Sequence, residues 1–367
     1  MDALFIPPSE TTEARILKDR IRAIYSSGVQ FFKKSALENL MHQVDEIKTL
    51  IDNGQSIDGK AFLMEGIDGK VVQSRIPYYV EGLRPDHEGV LRRTEFTLEY
   101  RTYQQLIRAV DFGPSELAYC PLSIVYPLED TDENEGLELT REVFHAGIKT
   151  WEASEGCKSL RSALETASIP GPITKIIAFA NSTISKYDGP GRHRSIIQHA
   201  LMLTLKKSLE ARGSVGIECF AQDPIYTEVD KSVLQEVGIT VLDDPRGFLE
   251  VDDQSIVLSF GANIPVRQIV SDLARPAILI WDTVINSEDE IIRSWLASWS
   301  PPRPWKTLEE LEGQICDPES SRVQNMIENE YVEMVDFDEG FDTALRRTNF
   351  LDTLAKSGQS EVWITLE

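Results

Sequence analysis

The chain has 367 residues, of which 41% are hydrophobic and 26% charged, with only 18 prolines, a composition that fills a sizeable core and excludes disordered and fibrous classes. Its 37 basic and 60 acidic residues leave a net charge of -23. Such a surface repels polyanions and anionic membranes on average, so any nucleic-acid contact has to be local.

The first fifty residues predict helix, because Leu37, Leu40, Met41, Val44, Ile47 and Ile51 recur at three- and four-residue spacing behind Ser35 as a cap, with Gly54 after the last turn. Ala61 to Met64, Val71 to Gln73 and Thr94 to Tyr100 predict short strands, the first two joined by an Asp68-Gly69 turn, in a meander-like insertion or lid. A second helical region, Gly136 to Ala167, runs up to the break Ile169-Pro170-Gly171-Pro172. From Ile173 to Val284 the pattern changes. Apolar runs Lys175 to Ala180, Gly216 to Ala221, Ser255 to Phe260 and Ala277 to Trp281 alternate with helical segments Arg194 to Ala211, Glu228 to Val237 and Pro265 to Leu273. Continuous apolar strands between amphipathic helices predict an α/β fold, a Rossmann-like parallel sheet with helices on both faces. The expected division is an N-terminal helical and short-strand extension over 1–170, the Rossmann-like core over 171–300, and an acidic C-terminal segment over 301–367 packed on that core. From Trp305 onward there are 15 acidic and 5 basic residues, which read as a solvated acidic surface.

No apolar run reaches the roughly 18 to 20 residues of a bilayer helix, and the first fifteen residues carry acids and two prolines where a signal peptide is basic and then apolar, so a cytoplasmic protein without membrane contact is expected. Cys120, Cys157, Cys219 and Cys316 lie far apart with no CxxC pair, which predicts reduced thiols and no metal site. Neither GxGxxG nor GxxxxGK follows the first parallel strand, which weighs against a nucleotide-dependent enzyme.

Within the core, Lys175 to Ser182 (KIIAFANS), Ile197-Gln-His-Ala-Leu201, Gln222-Asp-Pro-Ile-Tyr-Thr227 and Leu234 with Gly238 resemble the domain named in plants for sensitivity to red light reduced. Ala180-Asn181-Ser182-Thr183 stands where that family commonly has a glycine-rich turn, and Gly261 to Pro265 where it commonly has a Pro-His-Cys type strand end. The chain is also similar in overall appearance to a fungal branch carrying this domain, the arginine-containing cyclodipeptide synthases of secondary metabolism. This resemblance implies an enzyme without a cofactor that takes amino acids from arginyl-tRNA and a second aminoacyl-tRNA and joins them into a diketopiperazine. It further implies that Ser182, next to Asn181, accepts the first aminoacyl group. The plant resemblance implies a different class, a non-catalytic regulatory protein that binds a partner and no DNA.

Ligands of open parallel sheets bind beyond the carboxyl ends of the strands, where this sequence places Asn181, Ser182, Asp223, Tyr226, Asn263 and Asp282. Serine acting on an already activated ester needs a proton acceptor and donors to the oxyanion, which the amides of Asn181 to Thr183 supply in this reading; the other reading is a serine that turns or caps the chain. Tyr226 is a candidate for proton transfer. Asp223 either fixes the strand-to-helix turn or binds a guanidinium; Asp282 is the better candidate for arginine specificity, and Asn263 a further substrate contact. Lys186, Arg192, Arg194, Lys206 and Lys207 oppose the global charge, with Asp188 the one acid between them. They read either as phosphate contacts for a tRNA acceptor stem, with Tyr187 stacking on an unpaired base, or as a solvated helix face. His199 reads as a packed side chain.

Overall fold

The computed structural model describes residues 11–77, 80, 82–86, 88–110, 116–129, 134–169, 171–186, 189–282, 316–318, 320–336 and 360–365. The chain divides into two compact units, one of residues 1–131 with 299–318, the other of residues 132–298 with 319–367.

In the first unit, α1 (Thr12–Ser26) starts at Thr11, whose Oγ1 accepts the Ala14 amide at 3.1 Å. Helix α2 (Lys34–Asp52) buries Leu37, Leu40, Val44 and Ile47, the expected stripe, but it is capped at Lys33 without a side-chain bond, so Ser35 lies inside the first turn instead of capping it. Strands β1 (Ala61–Glu65) and β2 (Val71–Arg75) form an antiparallel hairpin whose turn needs Gly69 at φ +77°. Two further antiparallel pairs follow, β3 (Arg84–Pro85) with β4 (Leu91–Arg92) and β5 (Thr97–Tyr100) with β6 (Leu122–Val125). Between β5 and β6 lies α3 (Tyr103–Ala109), held by a reciprocal cap between Thr102 and Gln105.

The second unit is a layered α/β structure. Its strands β7 (Lys175–Phe179), β8 (Glu218–Gln222), β9 (Ile239–Val241), β10 (Ser255–Ser259) and β11 (Ile278–Asp282) form a parallel sheet in the order β9-β8-β7-β10-β11. Beyond β11 the sheet continues with β13 (Ser360–Thr365) and then β12 (Tyr331–Asp336), β13 running antiparallel to both neighbours. Part of the acidic C-terminal segment therefore completes the sheet edge. Helices α4 (Leu137–Ala153) and α5 (Glu155–Thr166) also belong to this unit, although the expected boundary set them apart at residue 170. Their apolar stripe is the reason: Phe144, Trp151, Leu160 and Leu164 join one buried cluster with the sheet. Ser154 divides the two helices, ending α4 and accepting the Cys157 amide as N-cap of α5.

The register fixes which strand residues share a face. Ile176, Ala178, Ile256, Leu258, Ile278 and Ile280 pack with Leu201 and Leu205 of α6 (Pro190–Ala211) and Val233 and Leu234 of α7 (Glu228–Glu236). Helix α4 crosses α6 so closely that a Cβ on Gly147 would stand 2.4 Å from Ile196 Cγ2. In register on the opposite face are Phe179, Gln222, Ser259 and Trp281. There Phe179 stacks on Phe248 of α8 (Arg246–Glu250) at 4.3 Å between ring centroids. Helix α9 (Val266–Leu273) packs against α8 and against α10 (Ser321–Glu330). Helices on both faces bury both sides of the sheet, which is why its strands are apolar without alternation. None of the four cysteines is in a disulfide, and three of them are buried. Among the described residues no helix is long and apolar enough to cross a membrane.

Candidate functional site

Strand order reverses at β7: β8 and β9 lie to one side, β10 and β11 to the other. In open α/β sheets the ligand crevice lies at such a reversal, outside the carboxyl ends of the strands. Here the loops after β7 and β10 leave the carboxyl ends of neighbouring parallel strands.

The β7 loop has unusual backbone. Ala180 and Ser182 hold φ of +59° and +63°, a left-handed conformation that costs about 1 to 2 kcal/mol for a residue with a Cβ. Strain of this kind persists only where the surroundings impose it. The Ser182 amide donates to Asp223 Oδ2 at 2.8 Å, and the Ser182 carbonyl accepts from Ser195 Oγ at 2.9 Å. From the next residue on, the loop is tied to Asp230, a fully buried carboxylate on α7: Thr183 Oγ1 donates to it at 2.6 Å, and the Ile184 and Ser185 amides each donate at 2.9 Å. Asp230 also accepts the Thr227 amide at 2.9 Å, while the Asp230 amide donates back to Thr227 Oγ1, the reciprocal cap of α7. Ser182 itself is half-buried, and its hydroxyl makes no hydrogen bond among the described residues, nor does the Thr183 amide.

Behind this loop lies a buried pair. His199 Nδ1 donates to the Ser195 carbonyl at 2.6 Å, since a carbonyl only accepts, so its Nε2 accepts the Tyr226 hydroxyl at 2.6 Å. Burial pushes the His199 pKa down to about 4, against the opposing pull of the Ser195 carbonyl, so the ring is neutral at pH 7. Burial, with the Asp223 and Asp230 carboxylates nearby, raises the Tyr226 hydroxyl well above the ordinary tyrosine value.

These contacts sort the expected residues. Ser182 lies three residues past the end of β7, where the strand order reverses. Asn181 offers no polar contact there: only 1% exposed, it turns Nδ2 toward Met202 Sδ at 3.7 Å and leaves Oδ1 without a partner among the described residues. Tyr226 is buried and bonded to His199. Asp223 takes the turn-fixing role, accepting the Ile225 amide at 3.2 Å besides that of Ser182. Asn263 is exposed on the loop after β10. Asp282 is the last residue of β11, and its side chain lies outside the described residues, as does Tyr187. In the basic segment Arg192 is buried against Glu135 at 2.7 Å and Lys207 pairs with Glu152 at 2.7 Å, so these two cations are engaged internally; Lys186, Arg194 and Lys206 are half-buried. Sequence reading missed Asp230 and Ser195. The Thr227-x-x-Asp230 capping pattern marks the first, but nothing local marks the second.

The loop is also unlike a phosphate cradle. Three of its amides, those of Ser182, Ile184 and Ser185, already bind internal carboxylates. Asp223 directly follows β8, where a dinucleotide fold directs an acid at a ribose, yet here it turns toward Ser182.

The family model of the SRR1 domain matches residues 161–353, more than half of the chain. The chain belongs to the SRR1 domain family. No curated protein matches it. Among solved structures, a geranyl diphosphate methyltransferase in complex with SAM is similar at 10% identity and TM-score 0.28, over 57% of this chain and 84% of the other. The plantazolicin methyltransferase BpumL in complex with a triazolic desmethylPZN analog and SAH is similar at 10% identity and TM-score 0.26, over 63% and 97%. Likeness at that level carries nothing about activity to this SRR1 domain protein.

Proposed function

We propose that this SRR1 domain protein is an aminoacyltransferase that forms an arginine-containing cyclic dipeptide from aminoacyl-tRNAs, with Ser182 as the acceptor. The supporting observation is the geometry of Ser182: a left-handed residue just after the first parallel strand, at the reversal of strand order, whose hydroxyl and following amide make no hydrogen bond among the described residues. Nucleophilic serines on strand-to-helix turns are presented by the same kind of strained backbone, and the amide that follows serves as an oxyanion donor. In this proposal Ser182 Oγ attacks the arginyl ester carbonyl. The bond to the ribose oxygen breaks, and that oxygen takes the proton. The amine of the second aminoacyl-tRNA then attacks the seryl ester, returning the proton to Ser182. The arginyl amine finally closes the ring on the remaining ester and releases the second tRNA. Since Asp223 holds the turn, Asp282 is the carboxylate assigned to the guanidinium, and Lys186, Arg194 and Lys206 the groups assigned to phosphates.

A regulatory protein without chemistry is the second reading, and the internal pairing of Arg192 with Glu135 and of Lys207 with Glu152 favours it. One experiment separates them. Incubated with radiolabelled arginyl-tRNA, the wild type should retain label at Ser182 and, with mixed charged tRNAs, yield cyclic dipeptides containing arginine by mass spectrometry. Ser182→Ala should lose both. Label retained by the alanine variant, or no label and no product from the wild type, overturns the proposal.

A further inference from the structure

We infer that Ser195 is a positioning residue that aims the Thr183 amide, and that the buried His199–Tyr226 pair acts through it. This inference rests on Ser182 being the nucleophile of the proposed function, and it concerns how the attacking group and its oxyanion donor are held together.

The argument starts from the planarity of the peptide bond. The Ser182 carbonyl and the Thr183 N–H belong to one trans peptide plane and point in opposite directions. Ser195 Oγ donates to that carbonyl at 2.9 Å from the first turns of α6, which draws the oxygen toward the helix and turns the Thr183 N–H away from it. The peptide plane on the other side of Ser182 is fixed by its amide, donated to Asp223 Oδ2 at 2.8 Å. With both planes held, neither φ nor ψ of Ser182 can relax toward the ordinary right-handed region, and the hydroxyl keeps its place relative to the Thr183 donor. Catalysis by such donors depends on their being oriented before charge develops, so the orienting bond is a kinetic feature as much as a structural one.

Ser195 is itself held. It is 1% exposed, its carbonyl accepts from His199 Nδ1 at 2.6 Å, which fixes the tautomer, and His199 Nε2 in turn accepts the Tyr226 hydroxyl at 2.6 Å. Tyr226 follows the same Asp-Pro turn that carries Asp223. The two clamps on Ser182 thus arise from one turn, Asp223 directly and Tyr226 through His199 and Ser195. Connected buried hydrogen bonds of this kind polarise and rigidify one another.

The test uses the full chain and a small fluorophosphonate, which phosphonylates an activated serine with loss of fluoride and needs no tRNA. Modification of Ser182 is followed by peptide mass spectrometry, beside melting curves and nitrogen-15 spectra of the His199 ring. In the wild type, Ser182 should react and His199 should carry its proton on Nδ1. Ser195→Ala should react roughly tenfold more slowly without a matching loss of folded protein, and Ser195→Thr, which keeps the hydroxyl, should recover most of that rate. Tyr226→Phe should slow the reaction by about threefold while His199 keeps its proton on Nδ1, where the Ser195 carbonyl accepts it. If Ser195→Ala does not fold, Tyr226→Phe carries the test alone. Ser195→Ala or Tyr226→Phe reacting at the wild-type rate, or a wild-type His199 protonated on Nε2, overturns the inference. A wild type that leaves Ser182 unmodified overturns it together with the nucleophile. Should Ser182 react normally while arginyl-tRNA transfers nothing, the substrate assignment falls and the positioning role stands.

Discussion

The loops after β7 and β10 stand on either side of the reversal in strand order, and they are built in opposite ways. In the first, Asn181, Thr183, Ile184 and Ser185 are all buried, and three side chains from other elements, Asp223, Ser195 and Asp230, hold its backbone. In the second, Gly261 and Asn263 are exposed around buried Ala262. The difference teaches that neighbouring strand ends can carry loops of opposite kind, one buried and held by side chains from elsewhere, the other set out toward solvent. A buried polar loop is tolerated only when its groups are satisfied, and satisfaction by side chains makes it rigid. Truncating an exposed loop side chain uncovers little buried surface and gives up little.

The largest expected effect breaks the rigid loop. Asp230→Ala removes the acceptor for the Thr183 hydroxyl and for the amides of Ile184, Ser185 and Thr227 at once, leaving donors buried without partners. We expect a loss of about 3 to 5 kcal/mol in urea unfolding, against less than about 1 kcal/mol for Asn263→Ala on the exposed loop. Equal losses in the two variants would show that burial of the β7 loop is not what distinguishes it.

Acid titration tests the same region without changing its anchors. His199 is neutral when folded, with a pKa of about 4, whereas in the unfolded chain it titrates near 6.5. Between these values the unfolded state binds the proton and the folded state does not. Stability therefore falls as pH drops from about 6.5 toward 4, by about 3 kcal/mol in all, and is insensitive to this group above that window. His199→Gln should lose about one proton's worth of slope from a plot of unfolding free energy against pH over that range. An unchanged slope in the variant would mean that the histidine is already charged in the fold.

Much of this region was legible in the sequence only in outline. Four of the five parallel strands follow from runs such as Lys175 to Phe179 and Ile278 to Trp281, because burial on both faces leaves apolar residues without alternation. Three-residue β9 is too short for any period to register, and β12 and β13 lie in a segment whose acidic composition hides two strands paired at the sheet edge. The place of Ser182 follows from the strand pattern, and Asp223 follows from Asp before Pro in a turn. Ser195 and His199 did not stand out as functional, since their meaning depends on which side of α6 faces the β7 loop, a fact of packing that residue spacing alone does not carry.

The smallest expected effect concerns the strain at Ser182, and it separates backbone from side chain. At φ +63° any residue with a Cβ is disfavoured, while glycine is not. Ser182→Ala keeps the Cβ and its strain but removes the hydroxyl; Ser182→Gly removes both. If the surrounding bonds to Asp223 and Ser195 impose the left-handed backbone, the glycine variant should be more stable than the alanine variant by about 1 kcal/mol in urea unfolding, less whatever glycine regains in unfolded-chain entropy. Both should be equally inert toward a serine-directed reagent, because the hydroxyl is gone from each. Alanine as stable as glycine would mean that Ser182 relaxes out of the left-handed region once the hydroxyl is removed, and that the serine side chain itself, not the clamped peptides on either side of it, sets the conformation.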